Sequence, residues 1–226
     1  MKQATPKKGW YARIEGPDGA GKSSIIALAK TYAEANGIDV VFIREPGTGE
    51  FGEKLRDMLL HAREFDLSPQ TEYALLTANR THLVSDVILP ALNKGYVVIS
   101  DRGIESSVTM QGGAAGAIAA KRKGSNASLS VDDILTVGAV MLPEWYMKPD
   151  GLVLLSLSKE TRRERMGAKV GLDKIEQRTM EYSDAVHDGY IHLETALSHA
   201  TVINSEQHPD KIFNQARAVL FGPDHA

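Results

Sequence analysis

The chain has 226 residues, 42% of them hydrophobic, enough to close one sizeable core, and it contains no repeat, tail or long low-complexity linker. Lys and Arg number 26 against 29 Asp and Glu, a formal charge of −3, so no global positive field draws nucleic-acid polymers or anionic membranes, and an anionic substrate must be captured locally. The absence of cysteine excludes disulfides and zinc–thiolate sites, and with neither a secretory h-region nor a membrane-length apolar run a soluble, cytoplasmic protein is expected.

A first strand is expected over Trp10 to Ile14. It runs into residues 16 to 24, Gly-Pro-Asp-Gly-Ala-Gly-Lys-Ser-Ser, and an apolar-periodic helix starts at Lys22 and reaches about Asn36, stopped by Gly37. This is the G-x-x-x-x-G-K-S/T pattern between a strand and a helix. Its glycines, Gly16, Gly19 and Gly21, let backbone N–H groups converge on anionic oxygens, with Asp18, Ala20 and Ser24 completing the loop. Lys22 adds a mobile cation, Ser23 offers a hydroxyl to magnesium, and the helix N-terminus contributes partial positive charge. The alternative is a glycine-rich turn that merely joins two elements. The flanking pattern favours a nucleoside triphosphate site.

Further strands are expected at Val40 to Ile43, Tyr96 to Ser100, Leu152 to Leu157 and Thr201 to Asn204. Helices are expected around Phe51 to Ala62, Thr71 to Leu92, from Lys159, from Arg178 to Ala200 and from Pro209. Strand and helix in alternation predict a five-stranded parallel α/β sheet covered on both faces. Ligands bind beyond the carboxyl ends of such strands, where Gly16, Arg44, Asp101 and Lys159 fall. Residues Gly112 to Ser130, rich in Gly, Ala and Ser, break the rhythm and read either as a mobile flap or as a surface insertion. Asp101-Arg102 after a strand sets a carboxylate near the magnesium and a guanidinium at the phosphates, or else forms a surface ion pair. Residues 159 to 178 hold two basic clusters around Gly167 and Gly171. They read either as a solvated mixed-charge helix or as a lid that folds over the triphosphate.

Together Glu15 to Ser24, Arg44-Glu45-Pro46-Gly47, Gly52-Glu53-Lys54-Leu55-Arg56, Ala78-Asn79-Arg80, Asp101-Arg102 with Ser106-Ser107 and Gln111-Gly112, Pro149-Asp150, Leu172 to Glu176 and Gly189-Tyr190 resemble the thymidylate kinase family. The likeness runs from Arg13 to about Leu220. It implies a P-loop nucleoside monophosphate kinase fold with a mobile lid, a single kinase domain, ATP and Mg2+, and a cytosolic homodimer. The implied reaction moves the ATP γ-phosphoryl group onto a deoxynucleoside monophosphate, dTMP in the first instance.

By the same resemblance Arg44 and Arg56 line the acceptor side, Arg102 anchors the acceptor phosphate, Arg80 and Gln111 read the pyrimidine edge with Leu76 and Ser107 beside them, and Asp18 approaches the sugar. Ser23 and Asp101 hold the metal. The phosphate loop has no arginine at its variable positions, so the missing cation is expected from the lid, where Arg165 aligns with one family arginine, Lys169 with another, and Gly167 replaces a third. Lys lacks the bidentate fork of Arg.

The likeness departs at the nucleoside pocket. Leu76 replaces an aromatic, Gly103 and Met110 replace tyrosines, and Ala115 replaces an arginine. Loss of the Leu76-position ring removes a stacking contribution of about 0.5–1.5 kcal/mol. A roomier pocket is expected, with either Tyr73 or the 112–130 stretch restoring a dTMP site, or with a broader set of acceptors such as 5-modified pyrimidines. A deoxynucleoside kinase with Glu45 as base, or a non-catalytic nucleotide-binding regulator, are the rival classes.

Overall fold

The computed structural model of the chain describes residues 8–61, 67–124, 128–167 and 179–225. Five strands, β1 (Trp10–Glu15), β2 (Val40–Arg44), β3 (Val97–Asp101), β4 (Gly151–Ser156) and β5 (Thr201–Asn204), form one parallel sheet in the order β2-β3-β1-β4-β5. Each lies where its apolar run predicts, with bounds moved by at most one residue.

In chain order the helices are α1 (Lys22–Asn36), α2 (Gly49–Leu60), α3 (Pro69–Leu83), α4 (Leu89–Asn93), α5 (Ile104–Met110), α6 (Gly113–Arg122), α7 (Val131–Met141), α8 (Glu144–Met147), α9 (Lys159–Gly167), α10 (Met180–Ala196) and α11 (Pro209–Phe221).

Alternation along β1 sends Ala12 and Ile14 to one face, where they join Val97, Ile99, Val153 and Leu155 against Ile25 and Ala29 of α1 and Phe213 and Leu220 of α11. Tyr11 points to the other face and packs with Val98, Leu154, Tyr73, Ile88, Tyr146 and Tyr190. The strands are apolar on both sides because both sides are covered. A third, smaller cluster, Leu55, Leu59, Leu60 and Leu76, joins α2 to α3.

Two helical expectations change. The stretch Thr71 to Leu92 is not one helix: α3 starts at a Ser68 side chain that accepts from the Thr71 N–H, widens into a π-helical turn at Val84–Ile88, and resumes as α4 with Pro90 in its first turn. Proline has no N–H to continue the ladder and crowds the preceding turn, which the wider turn relieves.

The described part of Gly112 to Ser130 is not a flap. Residues 113–122 form α6, with Ala115, Ala119 and Ala120 buried against the core and α10 alongside. Its small residues serve close approach, as a Cβ on Gly116 would lie 2.0 Å from the Gln111 carbonyl. Ser130 then caps α7 in a reciprocal box with Asp133.

Register brings the functional ends together. Ile14 pairs with Asp101 and Arg44 pairs with Asp101, so β1, β2 and β3 end side by side where the chain order reverses across β1.

Candidate functional site

Beyond those strand ends lies a cavity of about 500 Å³. The phosphate loop closes one end. Gly16 has φ 144°, and a Cβ there would lie 2.6 Å from the Leu155 carbonyl, so only glycine lets the loop cross β4 this closely. Gly21, at φ 87°, turns the chain into α1. Lys22, Ser23, Asp18, Gly19 and Gly21 line the cavity; Ala20 is buried in the core behind it, and Ser24 is exposed at the first turn of α1. The Lys22 ammonium donates to the loop's own carbonyls, Gly16 O at 2.7 Å and Pro17 O at 3.0 Å. Burial, and then repulsion from Arg102, lower its pKa to about 8.

Arg102 takes φ 75°, the left-handed region that favours glycine, and this aims its guanidinium back over the loop. Its Nη1 donates to Ser106 Oγ at 2.9 Å, to the Tyr190 hydroxyl at 3.0 Å and weakly to Gly16 O at 3.4 Å, while Nη2 closes on the Asp18 carboxylate. Beside it, on the cavity wall that Ser23 also lines, Asp101 Oδ1 is buried without a hydrogen-bond partner among the described residues.

Arg56 and Arg44 come from α2 and β2. Arg56 donates to Pro46 O at 3.0 Å, and Arg44 pairs with Glu53 at 2.9 Å on the exposed rim; both pack on Gly47.

The far end is lined by Leu59, Leu60, Glu72, Leu76, Arg80, Ser107, Met110 and Gln111. Arg80 is buried: Nε donates to Glu45 at 3.1 Å and Nη2 to the Gly103 carbonyl at 2.8 Å, leaving Nη1 without a partner among the described residues. Gln111 Nε2 donates to Glu72 at 3.1 Å, and both Gln111 Oε1 and Ser107 Oγ are buried without a partner among the described residues.

The expected gap at Gly103 is not there. A Cβ at this position would lie 2.5 Å from Arg13 Cδ, because the fully buried Arg13 fills the space. Arg13 pairs with Glu105 at 2.9 Å and donates to Met147 O at 3.1 Å. Nor is the missing aromatic face restored by Tyr73, which is buried in the core with its hydroxyl on Ile134 O, or by the described residues of the 112–130 stretch, which do not line the cavity. Ala115 is likewise a core residue.

Arg165 crosses the loop from α9, donating to Gly19 O at 3.0 Å and Ser205 O at 3.1 Å. The other cations of α9 face acids of α10: Lys159 meets Asp188 at 2.7 Å, Arg163 meets Asp184 at 2.6 Å, and Arg162 lies 4.0 Å from Asp184. Lys169 and the rest of the 168–178 lid stretch lie outside the described residues. Gly19, Gly21 and Arg165 also border a second cavity of about 230 Å³ with Ser24, Ile25, Ser205, Gln207, Pro209 and Ile212.

Sequence reading missed Glu15, Glu72 and this second cavity. Buried Glu15 accepts from the Gly103 N–H at 2.6 Å, Ser106 Oγ at 2.9 Å and the Tyr190 hydroxyl at 2.9 Å, so it orders the turn that carries Arg102. Two charged residues, Arg13 and Glu15, in phase with Tyr11 on an otherwise apolar strand were the available signal. Glu45, considered only as a base, instead accepts from Arg80 and from the Tyr146 hydroxyl at 2.7 Å.

The sequence matches the family model described as Thymidylate kinase over residues 14–216. It is 34% identical over 183 residues to the thymidylate kinase of Kosmotoga olearia, covering 81% of each chain. It is 32% identical over 227 aligned residues to that of Leifsonia xyli subsp. xyli, covering 98% of this chain and 99% of the relative. Its fold is similar to that of the crystal structure of thymidylate kinase from Ehrlichia chaffeensis, with a TM-score of 0.64 and 22% identity, over 87% of this chain and 93% of that one.

Proposed function

The chain belongs to the thymidylate kinase family, and we propose that it moves the γ-phosphoryl group of ATP onto dTMP inside the larger cavity, with the adenosine of ATP in the smaller one. It is a nucleoside monophosphate kinase. The observation that carries the site assignment is the shared phosphate loop: one cavity on each side of it, with Arg165 bordering both and Arg102 bordering the acceptor side.

Near neutral pH the acceptor phosphate, with a second pKa of about 6, is already a dianion and needs no general base. The obstacle is repulsion between two polyanions. In this reading Lys22 leaves its carbonyls for the donor phosphates, Arg102 exchanges Asp18 for the acceptor phosphate, Arg56 flanks that phosphate with Arg44 at the rim, and Arg165 turns from Gly19 O to the transferring group. Arg80, Gln111 and Ser107 face the base, and Leu76 and Met110 cover its ring.

Among the described residues no group of three or more acidic or histidine side chains could hold a metal alone. That suits magnesium, which keeps waters and phosphate oxygens and takes one or two protein oxygens. Ser23 and the unpartnered Asp101 Oδ1 would supply these, and the ion would neutralise phosphate charge. Lys169 is proposed to add a point charge from the lid.

Glu45 is held by Arg80 and Tyr146, which supports a phosphate rather than a sugar hydroxyl as acceptor. A homodimer and a cytoplasmic setting belong to the same proposal. Exposed Val137, Val140 and Met141 on one face of α7 support the dimer, and among the described residues no helix is long and apolar enough to cross a membrane. The test is a panel of nucleosides and nucleoside monophosphates with ATP and magnesium, read as diphosphate formed. dTDP from dTMP and no product from thymidine is expected; thymidine as the better acceptor would overturn the reading.

A further inference from the structure

The amide of Gln111 has two chemically opposite ends, and which of them a base meets depends on its neighbour. The Gln111 amide turns its NH2 to Glu72, Nε2 donating to Oε2 at 3.1 Å. That leaves Oε1, an acceptor, buried on the cavity wall without a partner among the described residues. Arg80 is fixed in the same way: Glu45 and the Gly103 carbonyl take two arms, and the remaining Nη1 can only donate.

We propose that Glu72 is a positioning residue that sets the polarity of base recognition by locking the Gln111 amide. The claim rests on the reading of Arg80 and Gln111 as the base-facing pair. A wall offering one fixed donor and one fixed acceptor complements a ring carbonyl next to a ring N–H, the edge of thymine and uracil. Cytosine presents an amino group next to a bare ring nitrogen, which sets donor against donor and acceptor against acceptor. A site built this way rejects the mismatched base because buried polar groups are left unpaired, which the apolar contacts of Leu76 and Met110 cannot do. Guanine shares the carbonyl and N–H pattern, so the lock sorts bases by edge chemistry and leaves ring size to the cavity walls.

Glu72→Gln tests this while keeping the shape. A glutamine neighbour can face either end of the Gln111 amide, so the lock opens. The ratio of kcat/KM for dTMP over dCMP is expected to fall about tenfold, with the change carried by KM more than kcat because base contacts are made before and during transfer alike. In a Gln111→Met background the same substitution should leave the ratio unchanged, which a merely structural role for Glu72 would not produce. If Glu72→Gln does not fold, Glu72→Asp, which draws the carboxylate back by one carbon, serves the same comparison. A ratio shifted less than twofold by the folded variant, or shifted equally in both backgrounds, overturns the lock. If Gln111→Met leaves the KM for dTMP unchanged, it is the base-facing role of Gln111 that fails.

Discussion

Arg102 and Asp18 hold one another across the mouth of the larger cavity, the guanidinium Nη2 closed on the carboxylate. The charge of Arg102, the proposed acceptor anchor, is therefore met by the phosphate loop itself. Replacing Arg102 by Ala and by Gly separates its backbone cost from its chemistry. Both should weaken dTMP binding in calorimetry. At φ 75° the Gly variant should be more stable than the Ala variant by about 1 kcal/mol in urea unfolding, since only glycine accepts that conformation freely. Equal stabilities would mean the turn relaxes.

Among the described residues the guanidinium of Arg165 hydrogen-bonds to backbone carbonyls, those of Gly19 and Ser205, whereas its neighbours on α9 face acids. Arg165→Ala should lower kcat by about two decades or more, the cost of removing a transition-state charge clamp. Arg165→Lys should recover a part, having charge without the fork. Rapid-quench single turnovers check this; a parent-like transfer rate in the Ala variant would remove Arg165 from catalysis.

Lys22 should report nucleotide binding as proton uptake. Its pKa is lowered to about 8 by burial, against 10.5 ordinarily, so between those values the unfolded chain binds more protons than the folded one. This group's penalty on stability is full below pH 8 and fades as pH rises towards 10.5. Polyphosphate restores the charge, and calorimetry of ATP binding at pH 8.5 in two buffers of different ionisation enthalpy should show net proton uptake. Identical heats would contradict it.

Gly103→Ala should cost about 1–3 kcal/mol by overpacking against Arg13. Arg13→Ala should cost about 3–5 kcal/mol, because Glu105 is left buried without its ion pair. In a double-mutant cycle with Arg13→Met the cost of Gly103→Ala should shrink, since a flexible thioether yields where the guanidinium stem does not. Additive costs in thermal unfolding would show the two positions to be independent.

The sheet was legible because each strand is a short apolar run, and the phosphate loop because its glycines and Lys22 stand between a strand and a helix. Arg44 and Arg102 meet at one cavity because their strands end side by side, whereas Arg56 and Arg80, on α2 and α3, were expected there from the family resemblance. What stayed hidden depends on pairs distant in sequence. Arg13 and Gly103 share a space that no local pattern reveals, and Glu72 orients Gln111 from another helix. The Ala- and Gly-rich 113–122 stretch carries little periodicity because its helix is shaped by close contact rather than by bulky side chains. Pro90 alone hinted that Thr71 to Leu92 is not one regular helix.

Helix α10 holds Asp184 and Asp188 against the cations of α9, and its Tyr190 against Arg102 and Glu15. The same rod is thus fastened at one place to α9, which carries Arg165, and at another to the turn that carries Arg102. Any displacement of α9 must therefore be taken up by a helix that also bears on Arg102, so the two flanks of the loop are not mechanically separate.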